Sequence, residues 1–226
     1  GGWSLGANLA RAFVHFDPAA FSTYTVATGA APAAFVPPDG VSNWSGTYSV
    51  TSPVFEKMNA RVELKTGGTA IFAEAADGRE TRVTTSVGVR PRPSVRLEAS
   101  VVTSRITRDR AGTTFARSTI PRLKLEYQPI RSLFFRMIAE YRSDLRSALI
   151  DPLTGSPLSV GGAPAAEQRF RGLRLDWLAS FKPTPGTVGF FGYGSSLERH
   201  RALYGTDALE RTADGFFVKL SYLFRM

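Results

Sequence analysis

The sequence predicts an all-β protein: an antiparallel up-and-down transmembrane β-barrel of about twelve strands, complete in itself or the C-terminal part of a larger barrel. Three observations predict it. Apolar side chains recur at every second position through run after run of the 226-residue chain, the period of a strand with one apolar face. The longer runs cover about 12 to 15 residues, beyond the roughly 5 to 6 of an average soluble strand and ample for a tilted membrane crossing of about 9 to 11. Tight, proline-marked turns also alternate with longer polar loops, as in a meander whose turns gather at one end.

The runs follow in order. Residues 3–15 carry Trp3, Leu5, Ala7 and Leu9 in one phase. The stretch 18–40, with four prolines and many alanines, is the hardest to assign. Residues 42–51 place Trp44, Tyr48 and Val50 together, and the next run sets Met58, Ala60, Val62 and Leu64 against Asn59, Arg61, Glu63 and Lys65. Weaker copies at 68–75 and 80–90 precede Val95, Leu97, Ala99 and Val101, which oppose Arg96, Glu98 and Ser100. Leu123, Leu125 and Tyr127 then oppose Arg122, Lys124, Glu126 and Gln128. Residues 131–142 set Leu133, Phe135, Met137, Ala139 and Tyr141 against Arg136, Ile138, Glu140 and Arg142. Residues 173–182 set Leu173, Leu175, Trp177, Ala179 and Phe181 against Arg174, Asp176, Leu178, Ser180 and Lys182. The last run has Phe216, Val218, Leu220, Tyr222, Phe224 and Met226 in one phase and Lys219 and Arg225 in the other.

Tight turns are expected near Arg92, Pro129 and Thr184, and longer loops at 108–113, 144–168 and 199–212. In an outer-membrane barrel the tight turns are periplasmic and the long loops external.

Alternation does not by itself say which face meets water, because a soluble barrel turns its apolar face inward and a membrane barrel outward. Strand length, loop asymmetry and aromatic residues near strand ends favour the membrane phase. Trp44, Leu123, Leu125, Tyr127, Phe135, Tyr141, Leu175, Trp177, Phe216, Val218, Leu220, Tyr222 and Phe224 are then expected to face lipid or its interface. Arg61, Glu63, Lys65, Arg96, Glu98, Arg122, Lys124, Glu126, Arg136, Glu140, Arg174, Asp176, Lys182, Lys219 and Arg225 are expected to face a lumen. With Lys57, Arg82, Arg90 and Arg142 added, the polar phase carries fourteen basic residues against five acidic ones. That excess matches the net charge of +9 of the whole chain, with 28 Lys and Arg against 19 Asp and Glu. Either the charges pair across strands and fill the interior, or the surplus cations favour anions along a pore or ligand path. Arg105, Arg108, Arg110, Arg199, Arg201 and Arg211, assigned to external stretches, are placed to meet lipid phosphates or water.

Composition excludes several chemistries. With no cysteine, disulfides, thiolate metal sites and thiol nucleophiles are ruled out. No cofactor and no metal site is expected from two histidines, since His15 with Asp17 is a pair and not a ligand set. His200, beside Glu198 and downstream of Ser195 and Ser196, permits a membrane-embedded hydrolase acting on lipid or glycan to be written down. A solvated loop containing a histidine accounts for the same residues. Gly189, Gly192 and Gly194 lack phosphate-loop spacing and fit relief of crowding in a barrel wall. Nucleic acid is not an expected partner, because the aromatic residues lie on the face opposite the cations.

The final run GFFVKLSYLFRM, residues 215–226, resembles the terminal assembly signal of bacterial outer-membrane barrels, with Met226 where phenylalanine is usual. The segments IPRLKLEYQ (120–128), DWL (176–178), PTPGTV (183–188), GYG (192–194) and FFVKLSYLFR (216–225) resemble the C-terminal part of a family of large bacterial proteins. In those proteins a family 9 carbohydrate-binding-like module precedes an uncharacterised membrane-barrel domain. The resemblance covers roughly 90–226 closely and the first half loosely. It implies a bacterial outer-membrane location and contact with lipid and lipopolysaccharide. It also implies insertion by the barrel assembly machinery, with partner proteins of a surface assembly and glycans within reach, and it carries over no reaction and no catalytic residue. The expectation is a single barrel domain over 1–226, a non-enzymatic channel or membrane anchor.

Overall fold

The computed structural model describes residues 2–28, 31–199 and 208–222. The fold is all-β and antiparallel. Its strands are β1 (Ser4–His15), β2 (Tyr24–Thr28), β3 (Ala31–Ala34), β4 (Gly40–Thr51), β5 (Met58–Ile71), β6 (Ala76–Arg92) and β7 (Val95–Arg108). They continue with β8 (Thr114–Ile130), β9 (Leu133–Arg146), β10 (Leu158–Val160), β11 (Ala163–Pro164), β12 (Gln168–Thr184), β13 (Thr187–Glu198) and β14 (Glu210–Tyr222). Ten of them form one sheet in the order β1-β4-β5-β6-β7-β8-β9-β12-β13-β14, an up-and-down meander. The other four form a small sheet in the order β11-β10-β2-β3.

The expected alternation of connections is observed. Arg92 pairs with Val95, Ile130 with Leu133 and Thr184 with Thr187, so three hairpins close over two residues each at one end. In the last of these, Pro185 presets its own φ and Gly186 adopts φ 100°, which suits a turn whose second central residue needs positive φ. The 16–39, 72–75, 109–113 and 147–167 connections all lie at the opposite end.

Three expectations are corrected. The large sheet does not close: β1 and β14 are its two edges and do not pair with each other among the described residues. The run expected at 68–75 is not separate, because β5 continues through Gly67 and Gly68 to Ile71 and a 3-10 turn at Phe72–Glu74 reverses the chain into β6. The hard-to-assign stretch and the expected 144–168 loop together build the small sheet, in which Leu158 pairs with Val26 and Thr25 with Ala34. Two- to five-residue strands of this kind carry too few alternations to show a period.

All eleven buried apolar residues among the described ones form one cluster: Phe16, Phe21, Val26, Phe35, Val41, Ile71, Ala75, Ala76, Phe115, Leu149 and Leu158. The cluster joins the small sheet to the long-loop end of the large one. Phe115 reaches it through a bulge, since Ile106 pairs with Ala116 and Thr107 with Thr114, leaving Phe115 unopposed and re-aimed. Elsewhere the ten-stranded sheet has no buried apolar side chain among the described residues. It is a wall with two different faces.

Candidate functional site: the two faces of the wall

Cross-strand register keeps paired side chains on the same face, so the two faces can be traced through the sheet. One row runs Leu97, Leu125, Met137, Trp177, Tyr193 and Phe216; the next runs Val95, Tyr127, Phe135, Ala179, Phe191 and Val218. Trp44, Leu123, Tyr141, Leu175, Leu220 and Tyr222 fall in the same phase. These apolar side chains are exposed: Leu125's neighbours Tyr127, Met137 and Trp177 are each about 40% exposed. The aromatic rings pack sideways along the surface, with Tyr127 stacked on Phe135 and Trp177 against Phe191 at a centroid distance of 5.1 Å. Phe224, assigned to this face, lies outside the described residues.

The opposite face carries the charges. Arg61, Glu63, Lys65, Arg96, Glu98, Arg122, Lys124, Glu126, Arg136, Glu140, Arg174, Asp176, Lys182 and Lys219 are all in its phase; Arg225 lies outside the described residues. Arg96 pairs with Glu126 across β7 and β8, Glu98 with Lys124, and Glu140 with both Arg122 and Arg174. Ion pairs follow that register and the i,i+2 spacing: Lys124 to Glu126 at 2.7 Å and to Glu98 at 3.5 Å, Arg174 to Asp176 at 2.9 Å, Arg61 to Glu63 at 2.9 Å. A cavity of about 590 Å³ opens on this face between β5 and β9, with Arg96, Arg122, Lys124 and Arg136 among its lining residues.

The charge count on the polar face is smaller than the sequence phase implied. Glu80, only 5% exposed, also faces this side and is held by Lys65 at 2.9 Å and Arg82 at 3.0 Å. Asp144, expected in a loop, belongs to β9 and accepts from Ser118 at 2.6 Å and from Arg142. Eight cations of this face are in ion pairs. Arg90, Arg136, Lys182 and Lys219, each within three residues of the tight-turn end of its strand, and Arg146 at the long-loop end of β9 have no carboxylate partner among the described residues. Parity on longer strands would have revealed Glu80 and Asp144. Both sit at the margins, where a loop competes with the strand assignment.

A second polar constellation was not legible at all. Arg108, expected in an external stretch, is buried at 7% exposure and forms a two-pronged pair with Glu74, which is 1% exposed. Its Nε donates to Glu74 Oε2 at 2.7 Å and its Nη2 to Glu74 Oε1 at 2.6 Å. Nη2 also donates to the Ala148 carbonyl at 2.8 Å, and the Ile150 amide donates to Glu74 Oε1 at 2.9 Å. The pair thus ties the 147–167 segment to β7 and to the turn before β6. A buried pair of opposite charges that is also saturated with hydrogen bonds offsets its desolvation.

The hydrolase constellation gains no geometry. Ser195 is 7% exposed and pairs with Leu175 and Asp214, and His200 lies outside the described residues. Asp17 accepts from the Ala19 amide at 2.9 Å and caps the short turn that follows. No group of three or more His, Cys, Asp or Glu able to hold a metal ion occurs among the described residues. Gly192 faces the ring of Phe217 and Gly194 the carboxylate of Asp176, whereas a Cβ at Gly189 would meet only the Phe181 carbonyl oxygen, at an ordinary 3.9 Å. Crowding therefore accounts for two of the three glycines.

No family model, curated protein or solved structure matches the chain.

Proposed function

We propose that this chain is a non-enzymatic wall of a transmembrane β-barrel in the bacterial outer membrane, with its tight turns on the periplasmic side and its long-loop end outside. Membership of the family with carbohydrate-binding-like modules, contact with lipopolysaccharide, delivery by the barrel assembly machinery and a place in a surface assembly belong to the same proposal. The observation that carries it is the pairing of an exposed apolar face, spanning all ten strands, with a charged face on the reverse. In water such a face would be a contiguous apolar patch far larger than monomeric proteins expose. From Leu173 to Phe181 the belt runs about 27 Å along β12, or roughly 20 Å for a strand tilted by about 40°.

An anchor is favoured over a wide channel. The small sheet packs on the polar face at the long-loop end, through Val41, Ile71 and Ala76, and most charges of that face neutralise one another. What passage remains would favour anions, because the unpartnered Arg136, Lys182 and Lys219 gather near the tight-turn end.

The three tryptophans, Trp3, Trp44 and Trp177, share the apolar phase, so their fluorescence reports on it directly. In vesicles, lipids brominated at mid-chain should quench Trp177, near the middle of β12, more than Trp3 or Trp44, which lie near opposite strand ends. Quenching by aqueous iodide with no effect of brominated lipid would sink the proposal.

A further inference from the structure

The apolar face is not apolar throughout. Apart from Arg92 beside a tight turn, its charged residues on the ten-stranded sheet among the described residues are Arg11, Asp77, Arg79, Arg105, Arg117, Arg169, Arg171, Arg211 and Asp214, and these lie toward the long-loop end. Four of the arginines stand equally far along their strands from the long-loop ends. Arg79 is three residues inside the start of β6, Arg105 three inside the end of β7, Arg117 three inside the start of β8 and Arg171 three inside the start of β12. All four are exposed. Arg105 and Arg117 are direct cross-strand partners, an arrangement of like charges that destabilises a sheet unless something negative sits between them.

The described residues supply little of that negative charge. Arg105 donates only to the Thr114 hydroxyl, at 2.8 Å from Nη2. Arg117 has no hydrogen-bond or ion-pair partner among the described residues. Arg79 meets Asp109 at 3.7 Å with both side chains more than half exposed, a contact worth little in water. One step toward the sheet centre the face turns to hydroxyls, with Thr103 paired to Thr119 and Thr119 to Ser143. One step further it is apolar. The order arginine, hydroxyl, hydrocarbon along the strand is the order phosphate, glycerol or sugar, acyl chain across a leaflet.

The geometry points to a lipid-phosphate site on Arg79, Arg105 and Arg117, which take the phosphate of an anionic lipid headgroup in the leaflet at the long-loop end. This rests on the membrane reading above. Guanidinium groups suit the role because each offers several donors in a plane matched to phosphate oxygens. The ligand is a phosphate monoester without an amine on the same headgroup, as on a diphosphorylated lipid A, and not the self-neutralised phosphate of phosphatidylcholine. Continuity of the arginines with the apolar belt favours a lipid over a soluble phosphate.

The test uses the full chain in vesicles of phosphatidylcholine, with and without lipid A. After solubilisation, retained lipid is counted by native mass spectrometry, and insertion is scored separately by bromine quenching of Trp177. The parent should keep lipid A in preference to phosphatidylcholine. Arg105→Gln with Arg117→Gln should lower that retention by about fivefold for each arginine removed, with insertion unchanged. Arg122→Gln with Lys124→Gln, on the other face, should retain lipid A as the parent does. Equal retention by the Arg105/Arg117 variant, or displacement of lipid A by millimolar inorganic phosphate, would overturn the lipid site while leaving the membrane reading intact. Unquenched Trp177 in both vesicle types would overturn both.

Discussion

The two ends of the ten-stranded sheet are built on different principles. At the long-loop end a small sheet, two loops and the strand ends bury Phe16, Phe21, Ile71 and Leu158 around a buried ion pair, as a water-soluble globule would. At the tight-turn end the described residues form no second layer: three two-residue hairpins and the 52–57 connection join strands whose apolar side chains are exposed. The first end is stabilised by burying apolar surface, at about 1.5–3 kcal/mol for each large side chain. The second has backbone ladders and lateral ring contacts, and its apolar face is left exposed. Stability at the two ends should therefore respond to different changes and in different solvents.

The largest effect is expected at the capped end. Glu74→Ala leaves the Arg108 guanidinium buried without its carboxylate, a loss of about 3–5 kcal/mol. Protease should then cut within 147–167 while the hairpins at the other end stay protected. The double change Glu74→Met with Arg108→Leu should recover most of the resistance, and failure to do so would mean that the pair also positions Ala148 and Ile150 through its hydrogen bonds.

The next test separates the faces. Leu125→Arg, on the apolar belt, should cost about 2–4 kcal/mol in a bilayer, whereas Thr84→Lys, opposite Glu63 on the polar face, should be neutral or slightly favourable. Unfolding from vesicles by denaturant would show the difference, and the reverse order of the two would invert the assignment of faces.

A subtler contrast lies within β13. Gly192→Ala drives a methyl into the Phe217 ring, at about 1–3 kcal/mol. Gly189→Ala meets only the Phe181 carbonyl oxygen, at an ordinary contact distance of 3.9 Å, and should be silent in the same thermal melt. The smallest effect belongs to the ladder. Glu98→Gln removes a half-exposed partner of Arg96 and Lys124, at about 0.2–1 kcal/mol, so its signature is selectivity: any conductance in planar bilayers should shift toward anions. A shift toward cations would refute the charge argument.

Much of the wall was legible because a strand writes its two faces directly into sequence as a period of two. The runs through Leu125, Phe135 and Trp177 needed no partner to be recognised, and the position of the tight turns followed from proline and glycine. The capped end was illegible for the opposite reason. Phe115 reaches the core through a bulge, Ala75 reaches it from a left-handed turn at φ 46°, and Leu158 belongs to a three-residue strand. None of these carries a period. Arg108 looked like a charge of an external stretch and Glu74 lay in the weak run at 68–75, and a separation of 34 positions gives no sign that they meet.

The arginines of the outer face lie between these cases. Arg105 was singled out in the sequence, but as part of a loop; strand length and register show that it stands inside β7 opposite Arg117.

The sequence by itself determined the secondary structure class, the meander and the membership of each face, because alternation and turn chemistry are local properties that survive whatever the strands pair with. Only the tertiary structure decided that β1 and β14 stay unpaired among the described residues, that Glu80 and Asp144 neutralise cations, and that Arg108 is buried while Arg105 is not. Each of these depends on which distant segment arrives beside the residue. Register and long-range packing select that segment, and a pattern of single residues along the chain cannot encode the choice.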